Sequence, residues 1–270
     1  MPFQDNGLKL TKTAIIEPSP FRRSRVDIII PMHEQYNKVV MLINSILLAT
    51  KSNPYKITVV DDGSADATFV EKFREFDKNR PANTEPILQF VRSEEQKGFG
   101  AACALGFSRT KSPWCLFVNS DCLVESPNWM YETGRSLLDL KSKNVRMVSA
   151  RNNLSYPGCP STIKGNKEDI VDDCILEGDD FLPLFCFMCH RDLFKNIGGF
   201  IKPYPYGTYE DEELAFRMKK HGFKQAICGK SWIKHEGGAT FKALANKNPK
   251  VMDIIDGNRD LCLQDVRKLF

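Results

Sequence analysis

Three acidic signals stand in order along this 270-residue chain: Asp61-Asp62 in VVDDGSAD, Asp121 in FVNSD, and Glu210-Asp211 in YEDEELAFRMKKHG. The first two each end a short apolar run, and the third opens an amphipathic stretch. Carboxylates so placed can do three different jobs. One can accept hydrogen bonds from a uracil- or guanine-type base or from ribose hydroxyls. One can hold Mg²⁺ or Mn²⁺, since Mg²⁺ needs few protein ligands when phosphates and water supply the rest. A carboxylate at a helix N-terminus sits where the helix dipole favours negative charge. There it can take a proton from a hydroxyl as a bond forms. Each also has an ordinary reading: an Asx-capped turn, a polar strand end, or helix N-terminal charge. Their order lets one cleft hold a base, a metal-bound diphosphate and a proton acceptor.

The elements that must position them follow from periodicity. Residues 26–30, apolar but for Asp27, form a run ended by Pro31, as in a strand buried on both faces. Residues 37–51 carry Val39, Val40, Ile43, Ile46 and Leu47 at helical spacing. A strand at 56–60 runs into Asp61-Asp62-Gly63-Ser64, where Gly63 permits a tight turn. A helix over 66–76 takes Asp66 as its N-cap. A strand at 87–91, a small-residue helix at 98–109 and a strand at 114–118 ending in Asn119-Ser120-Asp121 complete the alternation. Strand–helix repetition predicts an α/β doubly wound, mostly parallel sheet. In such sheets ligands bind beyond the carboxyl ends of the strands. Pro31-Met32-His33-Glu34, Asp61-Asp62 and Asn119-Ser120-Asp121 all fall there.

After residue 150 the rhythm breaks. Residues 151–182 are polar and predict a loop able to act as a mobile lid. A strand is expected at 182–189, and a helix at 210–221 with Leu214, Met218 and His221 inward. Two short strands at 224–228 and 231–235 and a terminal helix at 251–270 follow. Residues 1–25 read as an irregular lead-in whose Arg22, Arg23 and Arg25 meet phosphate, anionic lipid or solvent.

Bulk composition narrows the classes. The chain is 42% apolar and 27% charged with a net charge of +4, an ordinary globular balance. No basic arm or aromatic–basic interleaving marks a nucleic-acid partner. No apolar stretch reaches the roughly 18 residues that span a bilayer, and MPFQDNGLKLTKT lacks a signal-peptide apolar core. Nine scattered cysteines read as buried free thiols in a reducing compartment. The expectation is a cytoplasmic protein, free or resting on a membrane surface.

Two motifs are rejected. Lys97-Gly98-Phe99-Gly100 precedes a helix, and its amides and Lys97 can approach phosphates. A dinucleotide fingerprint would need glycine where Cys103 stands. Cys186-Phe187-Met188-Cys189-His190 matches haem-attachment letters. It lies in an apolar run, however, where alternation turns the two cysteines to opposite faces. His235, before Gly237-Gly238, reads equally as a second metal ligand or as a structural histidine.

Taken together, IIIPMHEQ, VVDDGSAD, KGFGAACALGF, FVNSD, IGGF, YEDEELAFRMKKHG and WIKHEGG resemble, in order and spacing over residues 26–241, the family 2 glycosyltransferases. The resemblance implies a GT-A fold of α/β class with a smaller acceptor-side subregion. It divides the chain into a lead-in (1–25), a nucleotide-binding half (26–125), an acceptor half (126–241) and a helical tail (242–270). It implies that Asp62 binds the nucleoside base, with Pro31, His33 and Glu34 lining the same pocket. Asn119 and Ser120 flank the sugar or ribose, and Lys97 lies near the donor phosphates. Asp121 holds Mn²⁺ or Mg²⁺ with His235 close by. Asp211 is the general base beside Glu210, and Gly198-Gly199-Phe200 forms the floor leading to the base. The family's metal motif is often D-x-D, whereas Asn119 stands first here.

The implied reaction is inverting, hexosyl- or deoxyhexosyl-type transfer from a nucleotide-diphosphate sugar to a hydroxyl acceptor. UDP and dTDP donors lead, and GDP is a further option. The acceptor is a glycan, a lipid-linked sugar or a protein. Two alternatives stay open at this stage: a nucleotidyltransferase, which usually carries a glycine- and basic-rich loop where PMHEQYN stands, and a non-catalytic nucleotide-sugar binding protein.

Overall fold

The segment VDIIIPM is apolar on both faces but for Asp27, whose carboxylate accepts the Lys111 and Ser112 N–H groups at 2.9 and 2.7 Å, and as strand β1 (Val26–Met32) it is buried along its whole length. Such a strand must lie mid-sheet with helices on either side. A computed structural model, describing residues 20–51, 53–80, 87–200, 204–238, 246 and 250–269, places it there. Around it stand α1 (Tyr36–Ala49), β2 (Tyr55–Asp62), α2 (Phe69–Lys78), β3 (Ile87–Ser93), α3 (Phe99–Ser108) and β4 (Trp114–Val118). β2 and β4 both pair with β1 in parallel, and β3 pairs with β2 in parallel. The order β3-β2-β1-β4 reverses its direction of growth between β1 and β4. That reversal opens a crevice beyond the strand ends.

The second half inserts antiparallel strands. β5 (Cys122–Val124), α4 (Trp129–Asp139), β6 (Val145–Arg151), β7 (Cys174–Ile175), β8 (Cys186–His190), α5 (Arg191–Ile197), α6 (Glu210–Lys220), β9 (Lys224–His235) and α7 (Lys250–Leu269) follow in turn. β8 joins β4 to β6 antiparallel to both, and β9 lies beside β6 in parallel. The sheet reads β3-β2-β1-β4-β8-β6-β9-β5, with β7 on β9. This is the expected α/β architecture. Helix α3 is built of small residues for a packing reason. A Cβ on Gly106 would stand 2.5 Å from Ile29 Cγ2 and 2.8 Å from Val60 Cγ2, so the helix lies directly on the sheet.

Several expectations are corrected. Helix α2 starts at Phe69 with Thr68 at its cap. Asp66 instead accepts the Thr68 N–H at 2.9 Å and the Lys72 ammonium at 2.8 Å. The expected strand over 182–189 starts only at Cys186, and Pro183, Leu184 and Phe185 before it form a cavity wall instead. The Leu182 N–H donates to the Gln225 side chain, and Pro183 has no N–H to give. His221 is exposed, not inward. The two expected strands at 224–228 and 231–235 are one strand, β9. Its partner register jumps from Cys228 to Trp232, so the 229–231 segment is absorbed as a bulge.

The 151–182 loop is tied down. Buried Arg151 donates to the carbonyls of Thr162, Lys164 and Asp169, and Trp232 Nε1 donates to Gly165 O. Cys186 and Cys189 are fully buried thiols in the core, as the rejection of haem requires. The lead-in up to residue 19 and most of the 239–249 stretch lie outside the described residues. Among the described residues no helix is long and apolar enough to cross a membrane.

Candidate active site

At the crevice predicted by the strand order lies a cavity of about 610 Å³. A cavity of this size takes a ligand of several hundred daltons. Its walls include Pro31, His33, Asp62, Asn119, Ser120, Asp121, Glu210, Asp211 and His235. Residues up to 204 positions apart in sequence therefore meet at one place, because each ends a strand or begins a helix at the same sheet edge.

The two aspartates that end β2 are not equivalent. Asp61 is fully buried and faces away from the cavity lining. It accepts the Ser64 N–H at 3.0 Å and pairs with the Arg92 guanidinium. Its role is to build the turn. Asp62 reaches the cavity, and its two oxygens accept the N–H groups of Lys97 at 2.9 Å and Gly98 at 2.8 Å. Burial raises its carboxyl above the ordinary value, while those two N–H donors act the other way. Each oxygen keeps a second lone pair. His33 Nδ1 donates to the Asp62 carbonyl at 2.8 Å, which fixes the orientation of the ring.

Three expected contacts lie elsewhere. Lys97 is exposed and outside the cavity lining. The amides expected to cradle phosphate are already occupied: those of Lys97 and Gly98 by Asp62, that of Gly100 by Glu210 Oε1 at 3.4 Å. Glu34 also stands outside the lining. It accepts the Ala65 N–H at 2.9 Å and so braces the turn after β2. Phe200 packs edge-on or tilted against Phe99, Phe117, Phe187 and Phe194 rather than flooring the cavity.

Across the cavity β5 and β9 bring Asp121 and His235 together. His235 Nε2 lies 3.1 Å from Asp121 Oδ1. An ion bonded to both at about 2.1 Å and near a right angle needs ligand atoms about 3 Å apart. The pair therefore fits a divalent cation. Cys122 Sγ lies within 4.8 Å of the same atoms. Its thiol, however, is held well above the ordinary value, chiefly by burial, and it faces the Phe185 carbonyl at 3.7 Å. His235 is itself well held. Its Nδ1 meets the Tyr156 hydroxyl at 2.6 Å, and its backbone is clasped by Asn153 at 2.8 and 3.0 Å. Such outer partners orient a ligand imidazole. Beside them the buried Asn119 Oδ1 has no hydrogen-bond partner among the described residues.

Helix α6 opens with Glu210, Asp211, Glu212 and Glu213 and closes with Arg217, Lys219 and Lys220, complementing its dipole at both ends. Glu213 and Arg217 form a buried pair that also binds the Ile197 carbonyl, which locks α6 to the end of α5. Glu210 and Asp211 face the cavity with well separated acidities. Burial first, and the Asp211 charge second, push Glu210 from 4.5 up to about 8. Burial first, and Glu212 second, push Asp211 from 3.8 up to about 6. Near neutral pH the pair therefore holds one neutral acid and one carboxylate. Divergent environments of this kind assign acid and base roles.

Sequence reasoning missed much of the wall. Tyr156, Pro157, Phe181, Leu184 and Phe185 line one side, and Tyr206, Thr208, Tyr209 and Ile255 another. The aromatic residues and prolines in the polar 151–182 stretch were the available signal. The 206–209 segment has another peculiarity. Tyr206, Thr208 and Tyr209 adopt φ of 63°, 84° and 67° around Gly207 at 102°. A left-handed non-glycine residue costs about 1–2 kcal/mol, so this turn is held by its neighbours.

Comparison with known proteins places this geometry in context. No curated protein sequence matches the chain. Among solved structures, GalNAc-T7 with UDP, GalNAc and Mn²⁺ superposes with a TM-score of 0.60 at 15% identity, over 78% of this chain and 44% of that one. S. aureus TarS 1–349 gives 0.53 at 15% identity, over 80% and 62%. The mannosyltransferase PcManGT from Pyrobaculum calidifontis, in complex with GDP-Man and Mn²⁺, gives 0.60 at 14% identity, over 92% and 74%. The chain thus spans only about half the length of the first structures it matches. At such identities the likeness establishes the fold, which is GT-A. The model of the family described as "Glycosyl transferase family 2" matches residues 27–198, more than half of the sequence, and the chain belongs to that family.

Proposed function

We propose that the protein is an inverting glycosyltransferase that moves a hexosyl or deoxyhexosyl group from a nucleotide-diphosphate sugar to a hydroxyl acceptor. One observation carries the reading: Asp62, the Asp121–His235 pair and Asp211 all line one cavity at the switch point of the sheet. Asp62, with His33 and Pro31 beside it, binds the nucleoside. Asn119 Oδ1, buried and unpartnered, accepts a hydroxyl of ribose or sugar. Asp121 and His235 hold Mn²⁺ or Mg²⁺, which when bound neutralises charge on the leaving diphosphate.

Asp211, ionised above pH about 6, takes the acceptor's hydroxyl proton. The acceptor oxygen then bonds to the anomeric carbon, and the bond from that carbon to the diphosphate oxygen breaks on the opposite face. Neutral Glu210 beside it adds no second charge to the acceptor side. The aromatic wall of Tyr156, Phe181 and Tyr209 limits water, which would otherwise hydrolyse the donor. UDP, GalNAc and Mn²⁺ in GalNAc-T7 and GDP-Man and Mn²⁺ in PcManGT support this donor and metal chemistry by analogy. UDP and dTDP lead, with GDP as the further candidate. The acceptor hydroxyl belongs to a glycan, a lipid-linked sugar or a protein.

Calorimetric titration with UDP, dTDP and GDP, with and without Mn²⁺, tests the reading. One nucleotide should bind at least tenfold more tightly with Mn²⁺, and Asp121→Ala should abolish that gain. Affinity that is indifferent to Mn²⁺ and to chelator removes the metal role. No binding of any nucleoside diphosphate removes the donor reading.

A further inference from the structure

The segment before the acidic pair is strained, and its internal hydrogen bond, from the Gly207 N–H to the Tyr204 carbonyl at 2.8 Å, does not reach Thr208 or Tyr209. Tyr206, Gly207, Thr208 and Tyr209 are successively left-handed, and Tyr209 is the residue from which α6 starts. Glu210 and Asp211 follow at once, so any relaxation of Tyr209 swings the first turn of the helix. Something outside the segment must hold it.

Helix α7 does so. Val251, Ile255, Asn258 and Cys262 form its buried stripe, at spacings of one helical turn. Asn258, only 1% exposed, donates from Nδ2 to the Pro205 carbonyl at 2.9 Å and the Gly207 carbonyl at 2.8 Å. The Thr208 hydroxyl lies 3.4 Å from the same nitrogen. Both N–H groups of one carboxamide are thus directed at the strained turn. One helical turn further, Cys262 Sγ faces the Tyr209 carbonyl at 3.9 Å. One turn earlier, Ile255 lines the cavity itself. The opposite side of the turn rests on Gly98, where a Cβ would stand 2.5 Å from the Tyr204 carbonyl oxygen. The family match ends at residue 198, so α7 lies outside the matched segment.

We propose that Asn258 is a positioning residue: through the Pro205 and Gly207 carbonyls it clamps the left-handed segment 206–209 and so sets the aim of Glu210 and Asp211, while Ile255 on the same helix closes the acceptor side of the cavity. The consequence for turnover rests on the reading of Asp211 as the base. The clamp itself does not, and the experiment separates the two.

Asn258→Leu keeps the side-chain bulk and removes both donors. Amide hydrogen exchange over residues 204–213 should accelerate at least tenfold, with β1 and β2 unchanged. Turnover of the donor that the wild type uses should fall about a hundredfold, the size expected of a misplacement near 1 Å, while the donor KM stays within threefold. Val251→Ala loosens the packing of α7 without touching the turn. It should lower the melting temperature and leave both exchange over 204–213 and kcat within twofold. If Asn258→Leu does not fold, Asn258→Ser, which retains one donor, takes its place with the same expected directions. Unchanged exchange in the Asn258 variant overturns the clamp. Equal losses of kcat in the Asn258 and Val251 variants overturn positioning in favour of plain stability. Accelerated exchange in a protein whose wild type transfers no sugar leaves the clamp standing and removes the transferase reading instead.

Discussion

The acidity of Glu210 makes a sharp prediction for stability. Glu210 is 5% exposed, and its side chain accepts the Gly100 N–H at 3.4 Å. The folded protein therefore holds the proton up to about pH 8, whereas the unfolded chain releases it near 4.5. Between those values the native state binds more protons than the unfolded state, so stability falls as pH rises and levels off above about 8. At about 1.4 kcal/mol per pH unit, the whole window is worth about 5 kcal/mol. Glu210→Gln keeps an oxygen for the Gly100 N–H and stays neutral at every pH, so it should escape the loss. Its advantage over the wild type should grow by about 3–4 kcal/mol between pH 5.5 and 8.5. For a domain of this size that is roughly 6–15 °C in melting temperature. Differential scanning calorimetry of both proteins at half-unit pH steps measures the quantity directly. A difference in melting temperature that stays flat across that range would refute the buried neutral carboxyl, and with it the division of labour between Glu210 and Asp211.

Two further predictions follow from the same geometry. Asp211→Asn should keep nucleotide binding and lower kcat by about 10²–10⁴, the usual contribution of a positioned base. In the wild type kcat/KM should fall tenfold per unit below pH about 6, the value at which Asp211 titrates, and steady-state kinetics across pH 5–8 read both effects. Arg92→Leu strips the charge partner from Asp61, which is fully buried. Loss of such a partner costs about 3–5 kcal/mol, so urea denaturation should show a loss of at least about 3 kcal/mol.

The first half of the chain was legible because each of its signals is local. β4 is a continuous apolar run with a polar end, β1 is one but for Asp27, and the alternation with helices leaves little choice of topology. The order of Asp62, Asn119-Ser120-Asp121 and Glu210-Asp211 was enough to bring them to one cavity. What sequence could not supply was direction. Asp61 and Asp62 are adjacent and chemically identical, yet strand alternation sends one to Arg92 and the other to the cavity. Lys97 has the right charge in the right loop, but the amides around it are bound by Asp62 and Glu210, and its side chain is exposed. Tyr156 was invisible because its value lies in a partner 79 residues away. Asn258 was invisible because nothing in a helical stripe announces that one member points its carboxamide at a turn from another element.

The way these pieces join has a mechanistic consequence. The Gly98 N–H holds Asp62 on the nucleoside side, and the same residue lies directly under the Tyr204 carbonyl and the Gly207 nitrogen on the acceptor side. Two residues on, the Gly100 N–H reaches Glu210. One short stretch of backbone, 97–100, therefore touches both Asp62 and Glu210. Direct displacement needs acceptor oxygen, anomeric carbon and leaving oxygen close to one line, and small errors in that line are costly. A chain that supported its donor and acceptor sites on separate elements would have to restore the line at each turnover. Here the left-handed conformation of Gly98, φ 93°, lets the backbone pass between both sites at a distance no side chain would tolerate. The strain in 206–209 is the counterpart of that arrangement: the turn is bent so that it reaches Gly98 on one side and Asn258 on the other, and the first turn of α6 starts from a segment held at both ends.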